Sequence, residues 1–189
     1  AHDPVAAAYC ELGRDQLAGL ARAAGGLAGV SEFNARELRQ LSGREAEVIP
    51  VLFDPPDGLA GTPAAAPADP PTILFVGRLA PHKRQDLVIR ALARLRERHP
   101  RAQLVLVGTP LTPEFEAGLR RLADELAPGA VRIETGGVPD AELAAIYERS
   151  SAFLCLSEHE GFCIPLLEAF GHGVPVVARD AGAVGEVVG

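Results

Sequence analysis

From Thr72 onward, short apolar runs alternate with longer stretches whose apolar residues recur at helical spacing. "TILFVGRL", a continuous apolar run with β-branched residues, "AQLVLVG", "VRIETGG", "AFLCLSE" and "VPVVAR" predict five strands, apolar on both faces. The segments between them read as helices. "RQDLVIRALARLRERHP" places Leu87, Ala91, Leu92 and Leu95 on one face. "TPEFEAGLRRLADELAPG" aligns Phe115, Leu119, Leu122 and Leu126 and stops near Gly129. "PDAELAAIYERS" is a short helix capped near Asp140, "PLLEAFGHG" is another, and "AGAVGEVVG" begins a last one. Strands alternating with helices predict an α/β fold, a doubly wound parallel sheet. Such sheets take ligands at the C-terminal ends of their strands.

The first third is less regular. "DQLAGLARAAGGLA" is helical in pattern, "AGVSEFNARELRQLS" reads as a short strand, a Ser or Asn cap and a helix, and "AEVIPVLF" reads as a further strand. "DPPDGLAGTPAAAPADPP" has no periodicity and is rich in Pro, Ala and Gly. The expected organisation is therefore a small segment at 1–53, a linker or loop at 54–71, and an α/β domain at 72–189. No internal repeat is evident.

Composition narrows the function classes. The chain has 189 residues, 48% of them hydrophobic and 23% charged, enough to bury one large core. A net charge of −7 argues against general nucleic-acid binding. No apolar run is long enough to span a bilayer, and the N-terminus lacks a basic segment followed by an apolar one. The chain has 3 cysteines and no CxxC pair, which suits free thiols in a reducing cytoplasm and suggests neither a disulfide framework nor a structural zinc site. It has no Met, so a fragment of a longer protein is expected. Of the 18 basic residues only Lys83 is a lysine, which marks a place where a compact point charge is wanted.

Two loops carry candidate chemistry. In "VGRLAPHK", Gly77 permits close backbone approach, and Arg78 and Lys83 flank the predicted ligand edge. Cations near a helix start oppose its dipole, so an anion held between them would explain the pair; the plainer reading is a solvated basic loop at His82, Lys83 and Arg84. In "SEHEGFCIPLLEAFGHGVPVVA", Pro165 suits the first turn of a helix. The amides of Phe162, Cys163 and Ile164 then form a ready anion site beside Gly161. Glu168, about one turn inside, can accept paired hydrogen bonds from a ribose diol; its plainer reading is a favourable charge at a helix N-terminus. Glu160 lies in the turn before, a poor place for a purely structural carboxylate.

These motifs resemble those of the retaining GT-B glycosyltransferases of the GT4 family, specifically their Rossmann-like C-terminal, donor-binding domain. The resemblance rests on G-R-L-x-x-x-K, E-G-F-x-x-P-x-x-E and G-x-P-V-V-A in that order, and it covers nearly all of 72–189. It implies a two-domain enzyme that moves a hexose from a UDP- or GDP-sugar to an acceptor hydroxyl of a glycan or lipid. Arg78 and Lys83 would hold the diphosphate, Glu160 the transferred sugar and Glu168 the ribose; Gly137 and Val138 would line the base. No metal and no cofactor beyond the donor are expected. The implied location is cytoplasmic, with peripheral contact at the inner membrane face as an option. Residues 1–53 are too short for an acceptor domain, so the chain alone is expected to be inactive.

Departures from the family pattern are Cys163, where Gly is frequent, and "EAFG" for "EAMA". A sugar-nucleotide epimerase on the same fold and a nucleotide-sugar-binding module without transfer are the rival readings. His159 and His172 read as loop residues, Cys155 as core, and the Arg-rich face of "RALARLRERHPR" as solvated surface.

Overall fold

The structure, a computed structural model, describes residues 4–53 and 69–189, with side chains from Cys10 onward. The chain divides into two compact units between Leu52 and Phe53. Most of the expected linker, 54–68, lies outside the described residues.

The first unit holds α1 (Pro4–Ala23), β1 (Ala28–Gly29), α2 (Glu32–Ser42) and β2 (Glu47–Val48), with β1 and β2 pairing in parallel. Ser31 caps α2 as its sequence predicts, accepting the Asn34 amide at 3.1 Å. The strand expected over "AEVIPVLF" shrinks to two residues. Pro50 lacks the N–H a ladder needs, and Leu52 is 95% exposed.

The second unit is the predicted doubly wound sheet. Its elements are β3 (Thr72–Val76), α3 (Gln85–Arg96), β4 (Gln103–Val107), α4 (Pro113–Leu126), β5 (Val131–Glu134), α5 (Asp140–Glu148), β6 (Ala152–Cys155), α6 (Ile164–Gly171), β7 (Val176–Ala178) and α7 (Val184–Val188). The strand order is β5-β4-β3-β6-β7 and every pairing is parallel. Side chains alternate across the sheet. Phe75, Leu104 and Leu106 pack with Val88, Ile89, Leu92 and Leu119 on one face, while Leu74, Val105 and Phe153 pack with Ile146, Tyr147 and Leu166 on the other.

Two expectations about helices need correction. The buried stripe of α3 is Gln85, Val88, Ile89 and Leu92, not the face through Leu87 and Ala91, which stay partly exposed. The two stripes overlap at Leu92, and the sheet takes the one carrying the β-branched pair. Helix α5 does start at Asp140, but Pro139 precedes it and no side chain caps it.

The topology makes a crevice. From β3 the chain steps outward to β4 and β5, then returns to place β6 on the other side of β3. This reversal is the switch point at which open α/β sheets bind ligands. β3 pairs with β4 over all five of its residues, but with β6 only at Ile73–Ala152 and Leu74–Phe153. The two central strands therefore part before their C-terminal ends. On the β4 side the chains stay in close contact: a Cβ added at Gly108, whose φ is 155°, would sit 1.9 Å from the Gly77 carbonyl oxygen. Only glycine fits there.

Candidate functional site

The loops after β3 and β6 bring the sequence motifs to this crevice. After β3, the Gly77 amide donates to the Val107 carbonyl at 2.9 Å and Leu79 to Thr109 at 3.0 Å. Gln85, fully buried, donates its side-chain amide to the Arg78 carbonyl at 2.9 Å. The loop backbone is thus pinned on both sides, while the Arg78 guanidinium is exposed and makes no hydrogen bond or ion pair among the described residues.

Lys83 behaves differently. It ends a 3-10 turn, Pro81–Lys83, and its ammonium donates to both oxygens of Glu160, at 2.8 and 2.7 Å. Glu160 is 5% exposed and the Lys83 side chain 19%. The expectation of an anion between Arg78 and Lys83 is therefore modified: in this structure the anion on Lys83 is Glu160 itself. The solvated-loop reading fails as well. Arg84 forms ion pairs with Asp86 and Glu158, and the Glu158 amide donates to the His82 carbonyl at 2.8 Å. The Arg84 hydrogen bond holds the Asp86 carboxyl below its usual range. These contacts tie the β3 loop to the β6 loop.

Glu160 is fixed from a third direction. Its carbonyl accepts the Ala183 amide at 2.8 Å. A Cβ at Gly182, φ 64°, would lie 2.2 Å from that carbonyl oxygen, so the β7–α7 loop closes on Glu160 through a glycine.

Helix α6 starts as expected, with Pro165 in its first turn. The amides of Phe162, Cys163 and Ile164 donate to no group among the described residues, as is ordinary for the first amides of a helix, and such amides can take an anion. Cys163, at the N-cap, has φ 72° and ψ 63°, a left-handed conformation that glycine adopts without strain.

Glu168 accepts a 2.7 Å hydrogen bond from the Tyr147 hydroxyl through Oε2. One of its two oxygens is thus already engaged, so the paired grip expected of it is narrowed to Oε1 and the remaining lone pair of Oε2. Burial, and then the Glu168 charge, push the Tyr147 phenol up, which keeps it a donor. The Tyr147 ring stacks on His172, which lies in the turn after α6 as expected, with centroids 5.1 Å apart. A cavity of about 340 Å3 opens here, lined by Phe53, Asp140, Leu143, Tyr147, Glu168 and His172. Gly137 has φ 82°, and Val138 after it packs partly against the core below α5. A larger cavity, about 770 Å3, lies at the strand starts around Thr72, Gln103 and Val131, the opposite edge from the motif residues.

Cys155 is buried in β6 as expected, but its sulfur is also part of this corner, 3.3 Å from the Ser157 hydroxyl and 3.7 Å from Glu160 Oε1. The Cys163 thiol beside it lowers the Cys155 thiol, while Cys155 and then burial push Cys163 up. Sequence reasoning missed Gln85, Tyr147 and Gly182. Gln85 carried a signal, a polar residue in the stripe that proves buried; the other two are visible only once the helices pack.

The glycosyl transferases group 1 family model matches residues 63–189. The chain is 38% identical over 127 residues to the GDP-mannose-dependent alpha-(1-6)-phosphatidylinositol monomannoside mannosyltransferase of Mycolicibacterium smegmatis, covering 64% of this chain and 32% of that protein. It is 33% identical over 166 residues to the D-inositol 3-phosphate glycosyltransferase of Acidothermus cellulolyticus, covering 79% of this chain and 37% of that protein. The chain thus spans about a third of the length of these curated relatives. Among solved structures, Anabaena HepE in complex with UDP and glucose superposes with a TM-score of 0.73 at 24% identity, over 92% of this chain and 49% of that one. That likeness shows the fold.

Proposed function

The chain belongs to the glycosyl transferases group 1 family, and from that premise we propose that residues 72–189 hold the nucleoside diphosphate sugar of a retaining hexosyltransferase. The observation that carries the reading is the crevice between β3 and β6. At the loops that border it lie a guanidinium, Arg78, and three amides at the start of α6 that have no partner among the described residues, together with an ammonium, Lys83. That set suits a diphosphate. Two of the similar proteins support the choice of ligand: one is named as GDP-mannose-dependent and another was solved with UDP and glucose.

The chemistry follows from charge. As the bond from the anomeric carbon to the diphosphate breaks, negative charge grows on the leaving oxygens. Fixed donors aimed there stabilise that charge without reorganising. Arg78 and the amides of 162–164 are free to do this, and Lys83 turns from Glu160 toward the phosphates or bridges both. Glu160 is buried and held by Ala183; in this reading it grips a hydroxyl of the sugar. Glu168 takes the ribose, and Gly137 and Val138 flank the base. The acceptor is a glycan or lipid hydroxyl, brought by the part of the protein that lies beyond this chain.

Calorimetry with UDP and with GDP tests the reading. Arg78→Ala is expected to weaken the preferred nucleotide about tenfold, about 1.5 kcal/mol, the lower end for a hydrogen bond to a charged group because the side chain is exposed. Unchanged affinity would remove Arg78 from the diphosphate. Donor binding is also expected to persist in EDTA, since the cations of the site are side chains; its loss from folded protein would refute the assignment.

A further inference from the structure

The donor reading uses the Cys163 amide but gives no role to the two thiols at the corner of the crevice. We propose that Cys155, Cys163 and Glu160 form a binding site for one soft divalent cation, Zn2+ being the natural occupant. The proposal stands on ligand geometry and not on the donor reading.

The ligand atoms of the three residues lie within 4.8 Å of one another, and Cys155 Sγ is 3.7 Å from Glu160 Oε1. Zinc bonds of about 2.3 Å to sulfur and about 2.1 Å to oxygen, at tetrahedral angles, put neighbouring ligand atoms about 3.5–3.8 Å apart. The cluster therefore needs only small side-chain shifts to close on an ion. Two sulfurs with one carboxylate are also a donor set that zinc favours and magnesium does not. The fourth position stays open to water or an added ligand.

Charge balances without loss of the existing ion pair. Two thiolates and a carboxylate carry three negative charges, and a divalent ion leaves one. Lys83 neutralises it: its ammonium holds both Glu160 oxygens, Oε1 at 2.8 Å and Oε2 at 2.7 Å, and keeps Oε2 when Oε1, 3.7 Å from Cys155 Sγ, turns to the ion. The Ser157 hydroxyl, 3.3 Å from Cys155 Sγ, can donate to that thiolate as an outer hydrogen bond that steadies a ligand. Binding releases the thiol protons to solvent.

The backbone supplies an independent observation. Cys163 occupies a left-handed conformation, φ 72°, ψ 63°, which costs a residue with a side chain about 1 kcal/mol or more. A glycine there would avoid the cost. The sulfur gained instead reaches the other thiol and the carboxylate. The spacing, positions 155, 160 and 163, hides the site from the usual CxxC search; the turn between β6 and α6 assembles it.

The test uses the reduced chain titrated with Co2+ and then Zn2+. The expected result is a near-ultraviolet thiolate-to-cobalt charge-transfer band that saturates at one equivalent per chain and is abolished by one equivalent of Zn2+. Cys163→Gly, which suits the backbone at that position, should weaken cobalt binding at least tenfold. Cys10→Ser, at the exposed cysteine of α1, should leave the band intact. Absence of the band from reduced protein overturns the proposal. So does a band that survives Cys163→Gly, one lost with Cys10→Ser, or saturation at one ion per two chains.

Discussion

Replacing Lys83 with Met is expected to lower the unfolding free energy by about 3–5 kcal/mol, the cost of leaving a buried carboxylate without its partner. Met keeps the length of the stem and removes the charge. Glu160, 5% exposed, then loses its ammonium partner and is left beside the Cys155 and Cys163 thiols. The loss should be largely reversed in Lys83→Met/Glu160→Gln, because the unpaired charge goes with the second change. Urea unfolding followed by circular dichroism checks both. A single-mutant loss below about 1 kcal/mol, the value of a surface ion pair, would show that the carboxylate reaches water. The same pair explains why Glu160 could sit in a turn with no packing role and still be part of the fold.

The second large effect separates the two carboxylates. Glu168→Ala should weaken a bare nucleoside diphosphate and its nucleotide sugar alike, by about 1.5–3 kcal/mol, as for loss of hydrogen bonds to a charged group. Glu160→Ala should weaken only the sugar-bearing donor by a similar amount. For the bare nucleotide it should leave affinity equal or higher, since Lys83 is released from its 2.7 Å contact and can face the phosphates. Calorimetry of both variants with both ligands decides the matter. If the two variants lose bare nucleotide equally, Glu160 does not serve the sugar end.

The sheet was legible in the sequence because parallel strands leave apolar runs, and all five runs became strands of one parallel sheet, although the edge strands β5 and β7 expose Arg132 and Val177. The positions of Arg78, Lys83, Glu160 and Glu168 at the ends and starts of elements were legible for the same reason. Their partners were not. Lys83 and Glu160 are 77 positions apart, and Tyr147 reaches Glu168 across 21, contacts that only the crossing of helices and loops creates. Helix α3 shows a smaller limit: Leu92 fits both the expected stripe and the observed one, and periodicity alone does not choose between them. The strand over "AEVIPVLF" is cut to Glu47–Val48 because its partner β1 is only two residues long and Pro50 ends the ladder.

The early end of the β3–β6 ladder bears on how such a chain can change over generations. The crevice is built by two arms of the sheet that are joined by a two-pair ladder and by loop contacts. The β3 arm contributes the cations Arg78 and Lys83, and the β6 arm contributes the carboxylates Glu160 and Glu168. Each arm is a contiguous block of sequence, although each face of the core takes residues from both. Variation in one block can therefore alter what is recognised at its end of a ligand while the other block is inherited unchanged, provided that the Lys83–Glu160 contact and the glycine at 182 are kept.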